Sequence, residues 1–206
     1  MEQEKQKYKE AIKYFLNSKI FIITIILVTI TNSSIGVDDT AFDRYYQGKE
    51  MLSIGRWGAY IVYQILNITE FTPFWADLVA SIVIVTTAIA WCVFLKKNLK
   101  DKIPMGAYIV FASMFISYPL INEIFIYQNC NIAVMLGSLL ASIGIMIFYE
   151  NYQVLHKKYL YLLTIITLTV GMSMYEASAQ IMILAICITA ILMIFEQENK
   201  KQWKNI

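Results

Sequence analysis

Six apolar runs, each near the length that crosses a bilayer, dominate this chain and leave it few ways to fold. A helix needs roughly 20 mainly apolar residues to span the hydrocarbon core. Residues 14–31, 73–95, 103–121, 132–149, 159–174 and 177–195 all approach that length. Only 16% of residues are charged, against about 25% in a soluble domain. With three prolines and eight glycines in 206 residues, long helices can run uninterrupted. The expectation is an all-α, polytopic membrane helix bundle of about six transmembrane helices, forming one membrane domain over residues 1–206. The first run follows a lysine-rich stretch, as a signal peptide would. However, Thr31-Asn32-Ser33-Ser34 makes a poor cleavage site, so this run reads as an uncleaved anchor. The fifth is short and borrows residues from the turn after it.

Charge placement gives the direction. Lys5, Lys7, Lys9, Lys13 and Lys19 precede or open the first run, and Lys96, Lys97, Lys100 and Lys102 separate the second and third. Lys157 and Lys158 lie between the fourth and fifth, and Lys200, Lys201 and Lys204 follow the sixth. Fourteen of the 17 basic residues thus fall on one side, which the positive-inside bias makes cytoplasmic. A multi-pass protein of the inner (cytoplasmic) membrane with both termini in the cytoplasm is expected. Residues 32–72, 122–131 and 173–178 then face outward. Each of these outer segments carries an acid and a tyrosine, which points to one shared outward-facing site.

Polar chemistry concentrates in the first outer loop. Residues 37–60 hold Asp38, Asp39, Asp43 and both arginines of the chain, Arg44 and Arg56. One aspartate can cap a helix running to about Gln47 and ended by Gly48. A cap needs only one side chain, and a carboxylate beside the membrane can also act as a general base. Gly55 to Leu66 reads as an amphipathic interfacial helix. Trp57, Tyr60 and Tyr63 on it suit either an aromatic belt or a platform for a sugar ring or headgroup. Arg56 departs from the charge bias of the chain, and guanidinium suits phosphate. Arg44 shares that logic or pairs with Asp43 or Glu50.

Elsewhere, Asp77 falls just inside the second run and suits a structural pairing role, though acids at that depth are often functional. Glu123 and Glu176 sit at outer helix ends, where each can complete the site or remain solvated. His156, the single histidine, lies among cytoplasmic lysines and reads as non-catalytic. Cys92, Cys130 and Cys187 lack metal-ligand spacing. Gly137, Ala141 and Gly144 place small residues at helical spacing, as close helix packing requires.

The order of these features resembles the Gtr family, polytopic glucosyltransferases that decorate bacterial O-antigen and related surface glycans. The resemblance rests on Asp38, Asp39, Arg44, Gly48, Gly55, Arg56 and Trp57 after one span with a cytoplasmic N-terminus. Ser173-Met174-Tyr175-Glu176-Ala177-Ser178 also resembles a family segment, in which glutamine commonly follows the tyrosine; here that position is Glu176. It implies a GT-C-like N-terminal half with a helical first outer loop, and an inverting transfer of a sugar, glucosyl by family, from a polyprenyl-phosphate donor to a surface glycan. Asp38 or Asp39 would be the catalytic base. Arg44, Arg56, Tyr45, Trp57, Glu123, Tyr175 and Glu176 would bind substrate. A divalent cation (Mg or Mn) bridging the aspartates and phosphate is compatible with this, but the sequence offers no second firm ligand set. Implied partners are the bilayer, the lipid-linked sugar and the glycan acceptor, with no nucleic acid. Family members usually carry more spans, so the chain also reads as a truncated product or as part of a split enzyme joined by a second membrane chain. Two alternative functions are a non-catalytic subunit and a transporter of lipid-linked sugar; the scarcity of charge within spans three to six counts against ion-coupled transport.

Overall fold

A computed structural model describes residues 9, 13, 23, 49–66, 73–99, 103–127 and 130–204. Among these residues the chain is helical throughout, without strands. The helices are α1 (Lys49–Ser53), α2 (Trp57–Ile65), α3 (Pro73–Leu99), α4 (Met105–Ile116), α5 (Pro119–Ile126), α6 (Asn131–Glu150), α7 (Lys158–Met174) and α8 (Ser178–Lys204). A π-helical turn, Asn151–Leu155, continues α6. Three stretches are long and apolar enough to cross a membrane: Phe74–Leu99, Asn131–Leu155 and Ser178–Phe195. Met105–Ile116 and Lys158–Met174 are shorter apolar helices. Apart from Ile23, which is helical and exposed, the first expected span lies outside the described residues.

The expected third span is divided. It stops at Ile116, Tyr118 turns extended, and Pro119 opens a new helix. The ring of a proline clashes with a helical conformation in the residue before it, and proline favours the first helical turn. The expected outer segment 122–131 is therefore helical as far as Ile126. Likewise, Lys49–Ser53, between the helix expected to end at Gly48 and the one expected from Gly55, forms a short helix of its own.

Packing sets the directions. Asp77 meets Asn131, Trp91 meets Ser142 and Lys97 meets Glu150, so α3 and α6 run parallel with their N-termini at one end. Against α6, α7 is antiparallel: Gly171 faces Gly137 near the N-terminus of α6, and Leu168 faces Gly144 one to two turns deeper. The small-residue spacing read from the sequence does serve close packing. A Cβ on Gly171 would stand 3.1 Å from the Gly137 carbonyl oxygen and 3.2 Å from the Ala141 nitrogen. Since no hydrophobic force separates lipid from leucine, tight approach of small residues is what holds such helices together. Helix α8 starts against Gly137 through Ser178, so it too begins at that end.

Two apolar clusters fill the bundle. One, from Ala59, Tyr63, Ile84, Ile116, Phe125, Ile132 and Met135, joins α2 to α6. The other, from Trp91, Phe94, Ile145, Tyr149, Ala185 and Leu192, lies deeper between α3, α6 and α8. Trp91 Nε1 donates to Ser142 Oγ at 3.0 Å, which satisfies the indole inside the core. Beyond this cluster lie the Lys97–Glu150 ion pair and Asn151, whose side chain closes the turn to Lys157.

Candidate functional site

The opposite end gathers the N-termini of α3, α6 and α8, the C-terminus of α7, and α2. The local sequence of α2 explains how it gets there. Gly55 adopts φ +83, a left-handed conformation that lets the chain turn from α1 into α2. Arg56 precedes the first helical residue, Trp57. Gly58 lies against Ser173 so closely that a Cβ would overlap Ser173 Oγ and stand 3.3 Å from Met174 Sδ. The glycines of Gly55-Arg56-Trp57-Gly58 thus have two jobs: one turns the chain, the other lets α2 seat on the end of α7. Ala59 and Tyr63 are buried on the same side, while Trp57, Ile61 and Ile65 form an exposed apolar stripe.

Seating α2 in this way delivers Arg56 to the α7–α8 turn. Its Nε donates to Glu176 Oε2 at 3.1 Å and Oε1 at 3.3 Å, and its Nη2 donates to Oε2 at 2.8 Å. The guanidinium carbon lies 3.9 Å from the centre of the Tyr175 ring, a cation–π stack. Tyr175 can serve both contacts because it ends α7 in an extended conformation, which puts it and Glu176 on the turn toward α2. The ionisation of all three groups reflects this arrangement. The bond from Arg56 holds the Glu176 carboxyl below the usual carboxylate range, against the opposing effect of its slight burial. Burial is the largest influence on Arg56 and pulls its pKa down, but the Glu176 bond and the Tyr175 and Glu176 charges together raise it. Tyr175 is pushed up chiefly by burial, then by neighbouring Cys130, with Arg56 pulling the other way.

Beside this cluster, Asp77 and Asn131 meet with no exposed surface on either. Asn131 Nδ2 donates to Asp77 Oδ1 at 2.8 Å, and Asn131 Oδ1 accepts from the Ile132 N–H at 2.6 Å. The acid inside the second run does take a buried polar partner, on a helix more than fifty residues away.

The structure therefore brings three of the expected site residues, Arg56, Tyr175 and Glu176, into direct contact. Trp57 follows Arg56 in the chain and is exposed. Glu123 is exposed on α5, and its side chain makes no ion pair or hydrogen bond among the described residues. Asp38, Asp39, Arg44 and Tyr45 lie outside the described residues. Among the described residues no group of three or more His, Cys, Asp or Glu side chains is placed to hold a metal. Asn131 was not singled out from the sequence; a polar residue opening an apolar run was the one signal available. His156 is exposed, with φ 50 at the end of the π-helical turn, on the side of the bundle away from this cluster.

Apolar helices of membrane-spanning length, with polar clusters confined to their ends, define a helical membrane protein. Within that class, the family model for Glucosyl transferase GtrII matches residues 27–206, and the chain belongs to that glucosyltransferase family. No curated protein and no solved structure matches it.

Proposed function

We propose that this protein moves a glucosyl unit from a polyprenyl-phosphate donor to a cell-surface glycan, such as O-antigen, on the outer face of the inner membrane. The reaction is inverting and GT-C-like. Asp38 or Asp39 takes the proton of the acceptor hydroxyl. The acceptor oxygen attacks the anomeric carbon while the bond from that carbon to the phosphate oxygen breaks. The lipid phosphate leaves with the bonding pair, and Arg56, with Arg44, stabilises its charge. Both termini are cytoplasmic in this reading, so the clustered helix end faces outward, with Trp57 and the rest of the α2 stripe at the headgroup level.

The observation that carries the reading is the Arg56 guanidinium, fixed at one end of the bundle of a GtrII-family chain. It lies fewer than twenty residues after the paired aspartates. The N-termini of α3, α6 and α8 converge there, and helix N-termini favour anions. The test is transfer from polyprenyl-phosphate glucose in proteoliposomes. Asp39→Asn should abolish turnover while leaving membrane insertion intact. Full activity in both Asp38→Asn and Asp39→Asn would exclude the carboxylate base.

A further inference from the structure

Arg56 is gripped on one edge and one face. Glu176 occupies the Nε/Nη2 edge, while Tyr175 covers the plane and also bonds the guanidinium through its side chain. A guanidinium carries five N–H donors in a rigid fork. Glu176 uses two and leaves three, of which two form the Nη1/Nη2 end in the spacing that phosphate oxygens accept bidentately.

We infer that Glu176 and Tyr175 are positioning residues that fix Arg56 with its Nη1/Nη2 edge presented to the phosphoryl group of the lipid donor. The inference rests on the assignment of Arg56 to the phosphate. The same contacts would serve a different role if Glu176 were a competitor that the phosphate must displace. Two observations favour positioning. Glu176 holds one edge only, so a phosphate need not evict it. Its side chain is 65% exposed, against 26% for Arg56, so solvent and salt screen its charge against an incoming anion. What Glu176 contributes without screening is geometric: two oxygens and a ring face hold a long side chain in place before the ligand arrives. The placement also depends on Gly58, whose contact with Ser173 fixes the distance between α2 and the Tyr175–Glu176 turn.

The test uses the full chain in nanodiscs and a short-chain polyprenyl monophosphate without sugar, so binding is read apart from transfer. Glu176→Ala and Tyr175→Leu should each weaken binding about 3- to 10-fold, the cost of ordering one long side chain at the moment of association. Glu176→Gln keeps one acceptor and should fall between them and the wild type. Arg56→Lys should weaken binding further, and in that background Glu176→Ala should cause no additional loss, because an ammonium has no edge to hold. Exposure of Glu176 makes a folding defect in its variants unexpected, and thermal stability of each variant checks this. Unchanged or tighter binding by Glu176→Ala overturns the positioning role while leaving the phosphate assignment standing. Unchanged binding by Arg56→Ala overturns the assignment itself, and the positioning role with it.

Discussion

Gly137→Ala should loosen the bundle directly beneath the candidate site. A Cβ there would overlap Ser178 Oγ and stand 2.9 Å from the Gly171 carbonyl oxygen and 3.1 Å from Met174 Cβ. The obstructing groups come from α7 and α8 and include backbone, so no side-chain rotation relieves all of them. Forcing a methyl into a packed interface costs about 1–3 kcal/mol. Replacing glycine within a helix returns up to about 1 kcal/mol. With that return in full the net loss is about 0–2 kcal/mol, a fall in Tm of up to about 8 °C for a chain of this size, and the gap to a variant that only gains the propensity term is about 1–3 kcal/mol. Gly106→Ala is the internal control. Nothing lies within 4 Å of a Cβ at Gly106, so only the helix-propensity gain applies. Thermal unfolding of the detergent-purified variants, followed by intrinsic fluorescence, reads both. Since α7 and α8 must separate from α6 to admit the methyl, the turn carrying Tyr175 and Glu176 shifts as well, and glucosyl transfer should fall by more than stability alone explains. A Gly137→Ala protein as stable as Gly106→Ala would show that the α6–α7 contact is not the tight one described.

Two further outcomes follow from the polar pairs. Removing either partner of the buried Asp77–Asn131 bond should cost about 1–3 kcal/mol, because the other is left without that partner in the core. The Asp77→Ala/Asn131→Ala double variant should lose less than the sum of the singles, and strict additivity in thermal unfolding would refute the pairing. The Arg56–Glu176 bond should be sensitive to acid but not to base. Glu176 has a lowered folded pKa, so its contribution is full above the unfolded carboxylate value and disappears as pH falls through the folded one. Arg56 stays charged throughout that window. The Tm difference between wild type and Glu176→Gln should therefore be present at neutral pH, worth no more than about 1 kcal/mol for so exposed a pair, and close on acidification. A difference that widens in acid would contradict this sign.

Much of the helical frame was legible in the residues. Apolar runs gave α6 and α7 close to their observed limits and the starts of α3 and α8, whose polar C-terminal turns run on past the apolar stretch, because spanning length and backbone satisfaction are properties of one segment. The division of the third run was legible too, in Pro119, but run length concealed it. The site was legible in part. Arg56, Tyr175 and Glu176 stood out as scarce polar residues at helix ends, and each had been given its own contact with substrate. Their contact with one another was not legible, nor was the role of Gly58, since neither follows from hydropathy or from any spacing along the chain.

The sequence by itself thus determined an all-helical membrane protein of the GtrII glucosyltransferase family, along with the small residues that its helices would pack upon. Tertiary structure alone decided which ends meet. Arg56 and Glu176 are 120 residues apart, and only the seating of α2 on α7 joins them. Asp77 finds Asn131 only because α3 and α6 run parallel. Helix formation is local, settled within a few turns of chain. Pairing between helices depends on their order and direction around α6, which no single segment contains.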